Sequence, residues 1–110
     1  MDIEQFRDYC LSLPDVEESF PFGSEVLVFK VHDKIFCLTT LDSEVFAFNV
    51  KCDPEKAVDL RERYSAVEPG FHMNKKHWNT IIVDGRLSNE LLMEFIDDSY
   101  TLVNKKIKKK

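Results

Sequence analysis

Residues 26 to 51 constrain this chain more than any other stretch, because three strand-like runs follow one another with only two residues between them. The runs are Val26–Val31, Lys34–Leu41 and Glu44–Lys51, and the breaks are His32-Asp33 and Asp42-Ser43. Such short connections join antiparallel neighbours, since parallel strands need a crossover of a dozen residues or more. Leu27, Phe29 and Val31 share one face of the first run, and Phe46, Phe48 and Val50 share one face of the third. The stretch is therefore predicted to be an antiparallel meander with one buried face.

Helical patterns flank it. Ile3, Phe6, Cys10 and Leu13 recur at helical spacing, Asp2 with Gln5 forms a capping box, and Pro14 stops the helix. Asp15 to Glu18 reads as an acidic connector, followed by a turn at Pro21-Phe22-Gly23. Beyond the meander, Asp53 offers an N-cap, Pro54 suits the first helical position, and Ala57, Leu60 and Tyr64 give an apolar stripe. Pro69-Gly70 forces a turn, Trp78–Val83 reads as a strand, and residues around Val67 are expected to pair with it. Ser88 caps a last helix, with Leu87 and Leu92 placed for a hydrophobic staple and a stripe through Leu92, Ile96, Tyr100, Val103 and Ile107. The expected fold is α+β in two layers, α-β(3)-α-β(2)-α, with helices on one face of an antiparallel sheet. One core is predicted to gather Leu27, Phe29, Phe46, Phe48, Ile81, Leu92, Phe95 and Ile96. Residues 1–110 are expected to form a single domain, with the lysine-rich 105–110 as a frayed tail.

The residues from 50 to 80 resemble a known family. Lys51-Cys52-Asp53-Pro54 and the run from Pro69 through Gly70, Phe71, His72, Met73, Asn74, Lys75, Lys76, His77, Trp78 and Asn79 to Thr80 are similar to the MmcQ/YjbR signature. Pro21-Phe22-Gly23, Val28-Phe29-Lys30-Val31 and Ser99-Tyr100-Thr101-Leu102-Val103 extend the likeness over positions 21 to 103. One departure is the first hairpin, where the family often carries Gly and this chain has His32-Asp33. The resemblance implies a two-layer fold similar to secretion-chaperone and CyaY-like folds, and a DNA-binding role for hairpins likened to a double wing. Fold analogy alone does not carry function, so the residues must be weighed for themselves.

Charge is distributed unevenly. All 20 acidic residues lie in positions 1–104 with only 10 Lys and Arg, leaving that stretch at −10, whereas Lys105, Lys106, Lys108, Lys109 and Lys110 crowd the end. This excludes a uniformly basic nucleic-acid binder but not a locally basic surface. Pro69 to Val83 contains no acid, and holds His72, Asn74, Lys75, Lys76 and His77 beside Trp78 and Asn79. Lys and His meet phosphate oxygens, Asn hydrogen-bonds backbone or base edges, and Trp stacks on bases. Any DNA contact is thus expected to centre on Lys75, Lys76 and His77, helped by Asn74, His72, Lys51 and Lys30, and to be weak and salt-sensitive. The competing structural reading makes Trp78 and Phe71 anchors of a tight turn and the lysines solvated surface.

Other chemistries find less support. His72 and His77 stand five apart, not at the spacing that puts two zinc ligands on one helical face. Cys52, between Lys51 and a helix start, has the setting of an activated thiol, yet no base or orienting group can be assigned to it. No GxxxxGK or GxGxxG loop is present among three Gly. Glu90, Glu94, Asp97 and Asp98 oppose a membrane-surface role for the last helix, and no apolar run approaches the ~20 residues of a span. Met1-Asp2-Ile3-Glu4 lacks a signal-peptide layout, and Cys10, Cys37 and Cys52 are odd in number without CxxC spacing, so a cytoplasmic protein with reduced thiols is expected. The reading is a non-enzymatic binding module without cofactor or metal, its ligand DNA. The alternative is a protein-interaction adaptor using the sheet face or edge, and an enzyme ranks third. Oligomeric state is left open.

Overall fold

A computed structural model describes residues 1–71 and 73–108, with side chains through Asn104. His72 and positions 109–110 lie outside the described residues, as do the side chains of 105–108, whose backbone continues the last helix, so the expectation of a frayed tail over 105–110 falls largely outside them. The elements are α1 (Ile3–Ser12), β1 (Val16–Ser19), β2 (Val26–Val31), β3 (Lys34–Thr40), β4 (Ala47–Lys51), α2 (Pro54–Arg63), β5 (Val67–Pro69), β6 (Trp78–Ile82) and α3 (Asn89–Lys108). Among the described residues, six strands form one antiparallel sheet in the order β1-β2-β3-β4-β6-β5, and three helices pack on one of its faces. The predicted fold class holds.

The helix ends follow local chemistry. Gln5 N–H donates to Asp2 Oδ1 at 2.8 Å while Asp2 N–H donates to Gln5 Oε1 at 3.0 Å, completing the capping box of α1. Asp53 Oδ1 accepts from Glu55 N–H at 3.1 Å and Lys56 N–H at 3.4 Å, with Pro54 opening α2. Ser88 Oγ accepts from Leu91 N–H at 3.1 Å at the start of α3.

Two expectations need correction. The acidic connector 15–18 is largely strand: β1 pairs with β2 from Val16↔Val31 to Ser19↔Val28. Its sequence looks like a loop because an edge strand tolerates charge, and Glu17 and Glu18 discourage pairing with another chain. Glu18 also accepts two hydrogen bonds from the Arg7 guanidinium, at 2.7 and 2.5 Å, tying β1 to α1. The second hairpin is longer than Asp42-Ser43, since β3 stops at Thr40 and β4 starts at Ala47. Ser43 Oγ donates to Val45 O at 2.9 Å and Thr39 Oγ1 donates to Ala47 O at 2.6 Å, so local side-chain bonds replace ladder bonds there. The first hairpin is tight as predicted. His32 and Asp33 adopt φ of 51° and 67°, the paired left-handed conformation of a type I′ turn, which serves without the family's Gly.

The core lies between sheet and helices. Phe6 of α1 sits against Phe29, Phe46 and Phe48 at ring-centroid distances of 5.5, 5.3 and 4.9 Å. Leu27, Phe29, Phe48, Ile81, Leu92, Phe95 and Ile96 are buried as predicted, with Phe46 half-buried at the margin. On the helix-free face, the register aligns Ser19, Val28, Leu38, Asn49, Thr80 and Glu68 in one row. Val28, Leu38, Asn49 and Thr80 of this row are buried, and Thr80 Oγ1 donates to Asn49 Oδ1.

Buried Ser99 of α3 joins the layers near the site. Its hydroxyl donates to Phe36 O at 2.5 Å, where β3 bulges, and accepts from Lys51 N–H at 2.8 Å, where β4 ends. Ser99→Ala leaves that carbonyl and amide without this partner and is expected to cost about 1–3 kcal/mol in urea unfolding. A change indistinguishable from zero would mean that Ser99 does not hold the two strand ends.

Candidate nucleic-acid interface

The loop between β5 and β6 is a compact, hydrogen-bonded structure. Gly70 N–H donates to Trp78 O at 2.9 Å, and Trp78 N–H donates to Asn74 O at 3.0 Å. Asn74 Oδ1 accepts from Lys76 N–H at 2.9 Å, an Asx turn that bends the chain at the two lysines. Lys75 Nζ reaches back to Gly70 O at 2.9 Å. Gly70 is needed for the close approach: a Cβ there would lie 2.8 Å from Trp78 Cβ and 3.0 Å from Trp78 O. Phe71 N–H donates to Thr80 Oγ1 at 3.0 Å, so the loop turns toward the helix-free face as it leaves β5.

Neighbouring elements place further residues beside this loop. Cys52 N–H donates to His77 O at 2.7 Å, and Lys51 is the register partner of Trp78. Lys51, Asn74, Lys75, Lys76 and His77 therefore occupy one corner of the sheet, next to the start of α2. Lys30 does not join them. It lies on β2, three strands from β6, or roughly 14 Å at ordinary strand spacing. Its surroundings are a shallow groove shared with Asp15, Glu17, His32 and Asp33, whose carboxylates repel phosphate. The alternation of β2 gave no warning of this, since the separation is set by strand order and not by local pattern.

The helix contributes a cation that the sequence reading missed. Pro54, Glu55, Val58 and Arg61 lie along one side of α2 and, with Lys76, line an open hollow of about 450 Å³. Arg61 Nε donates to Ala57 O at 3.2 Å. The available signal was Val58, an apolar residue off the core stripe of Ala57 and Leu60, with Arg61 one turn further on. Asn79, by contrast, is buried, with Nδ2 3.4 Å from Ala57 O, and is no surface contact. Trp78 is half-buried.

Much of the remaining positive charge is neutralised. Arg7 pairs with Glu18, Lys56 with Asp98 at 2.7 Å, Arg63 with Asp59 at 3.2 Å and Arg86 with Asp84 at 2.8 Å. Among the described residues, Arg61, Lys75 and Lys76 have no carboxylate within ion-pair distance.

Cys52 is a strand-end hydrophobe. It is 8% exposed, and burial pushes its thiol up, with the negative charges of Asp98 and Asp53 adding to the effect and Lys56 only opposing it. The thiolate is scarce at neutral pH, the reverse of activation. Alkylation of Cys52 is expected to be slower than that of free cysteine at pH 7, and Cys52→Ser should leave ligand titrations unchanged. Faster alkylation than the free amino acid would contradict this assignment. Among the described residues, no three His, Cys, Asp or Glu side chains gather as metal ligands, and no helix is long and apolar enough to cross a membrane.

The family model described as YjbR matches residues 11–102. The uncharacterised protein YbdF of Escherichia coli O157:H7 is 41% identical over 100 residues, covering 91% of this chain and 82% of that protein. The uncharacterised YjbR of Escherichia coli K12 is 33% identical over 100 residues, covering 91% and 85%. The crystal structure of Deinococcus radiodurans protein DR2400, with a DUF419 domain, superposes with a TM-score of 0.91 at 39% identity, over 98% of this chain and 82% of that one. A Pseudomonas syringae crystal structure superposes with a TM-score of 0.81 at 28% identity, over 94% and 99%.

Proposed function

The chain belongs to the YjbR family, and on that footing we propose that it is a binding module that contacts nucleic-acid phosphates through the corner between the β5–β6 loop and α2. One observation carries the reading. Arg7, Lys56, Arg63 and Arg86 are tied up by carboxylates, whereas Arg61 and Lys76, which line one hollow, and Lys75 beside Lys76 on the loop have no carboxylate within ion-pair distance. In a domain whose first 104 residues carry −10, such a corner is the surface a polyanion approaches against the least repulsion. Lys51 and His77 adjoin it, and the function involves binding without bond-making chemistry.

The adaptor alternative has less to work with on the sheet. The middle of the helix-free face is already buried, the β1 edge carries Glu17 and Glu18, and β5 offers only three residues ending in proline.

The test is a salt titration of the full chain with a fluorescent oligonucleotide. A slope of log affinity against log salt of roughly −2 to −4 is expected, and Arg61→Ala or Lys76→Ala should each make it shallower by about one. A slope that neither substitution changes would remove the corner from the interface.

A further inference from the structure

We propose that the nucleic acid held at this corner is single-stranded, with a base seated in the hollow beside α2. The inference rests on the phosphate-binding reading and adds to it which form of nucleic acid the site fits. Val58, one of the residues lining the hollow, is 48% exposed on a helix whose buried side is Ala57 and Leu60. An aliphatic floor gives nothing to a phosphate oxygen, but it gains from covering by a flat, weakly polar ring. In a duplex the base faces are stacked inward and the outer surface is phosphate and sugar. A single strand can turn a base onto the floor while its neighbouring phosphates meet cations on the rim.

The rim has the composition such a ligand needs. Arg61 carries a planar guanidinium with only its Nε engaged, by Ala57 O, and planar cations stack on bases as well as bind phosphate. Lys76, facing α2 from the loop, supplies a second phosphate contact. Glu55 also lines the hollow, where it would repel a continuous phosphate ridge. Toward a base it is an acceptor for an exocyclic amino group, the pairing that carboxylates make with cytosine N4. The hollow, about 450 Å³, is within the range of small-ligand sites.

The experiment compares a fluorescent oligo-dC strand with a duplex of equal length at low salt, using the full chain. The strand is expected to bind about tenfold more tightly than the duplex. Val58→Ser keeps all charges and should weaken strand binding about fivefold without affecting the duplex. Val58→Leu should match or exceed the native chain, which separates loss of apolar surface from loss of fold. If Val58→Ser leaves strand binding unchanged while Lys76→Ala weakens it, the hollow takes no base and only the phosphate reading survives. If neither strand nor duplex binds, both readings fail.

Discussion

Truncating Phe48 to Ala is expected to cost about 3–5 kcal/mol, the range for deleting a large aromatic from a packed core. Phe48 is fully buried on β4, between Thr39 of β3 and Ile81 of β6 in register. Its ring lies 4.9 Å from that of Phe6, and Phe6 in turn packs edge-on against Phe29 of β2 at 5.5 Å. Removing the ring therefore takes away both the stacking partner of α1 and the filling between three strands. The surrounding backbone is fixed by ladder bonds on both sides of β4, which limits how far the site can collapse, so most of the cavity persists. Against a total of about 5–15 kcal/mol for a domain of this kind, the loss is a large share. In urea unfolding the midpoint should fall steeply with little change in slope. A loss under about 1 kcal/mol would mean that Phe48 does not face the helices.

Why these elements were legible follows from the reach of the signals. Capping boxes, N-caps and tight turns act over three or four residues, so Asp2, Asp53, Ser88 and His32-Asp33 announced their roles directly. The core faces of β2 and β4 follow from strict alternation of large apolar residues. Strand β1 escaped because Val16 is its only large apolar residue and its pairing with β2 is decided by tertiary contact. The position of Lys30 escaped for a different reason. Strand order places β6 between β4 and β5, and no periodicity within one segment encodes which strand becomes whose neighbour. Arg61 was hidden because its significance lies in meeting Lys76 across a loop fifteen residues away in sequence.

Reversing Lys75 and Lys76 together to Glu is expected to abolish nucleic-acid binding by the folded domain. Both side chains are exposed on the β5–β6 loop, and Lys76 borders the hollow with Arg61. The double reversal replaces two cations by two anions at a corner where cations without ion pairs collect. At position 76 it also places a second carboxylate in the hollow with Glu55, turning local attraction into repulsion of phosphate. The loop itself should persist, because its shape depends on Gly70, Asn74 and Trp78 backbone bonds and on the Asn74 side chain. The one lysine contact with a loop carbonyl, Lys75 Nζ to Gly70 O, is the local cost.

The terminal lysines attract any polyanion without specificity, so the decisive titration removes them. A chain ending at Asn104 and the same chain carrying Lys75→Glu and Lys76→Glu are titrated with labelled oligo-dC at low salt. Phosphate recognition at the corner predicts weak, saturable binding by the first and none by the second. If the chain ending at Asn104 shows no binding, or if both chains bind alike, the corner is not a nucleic-acid interface.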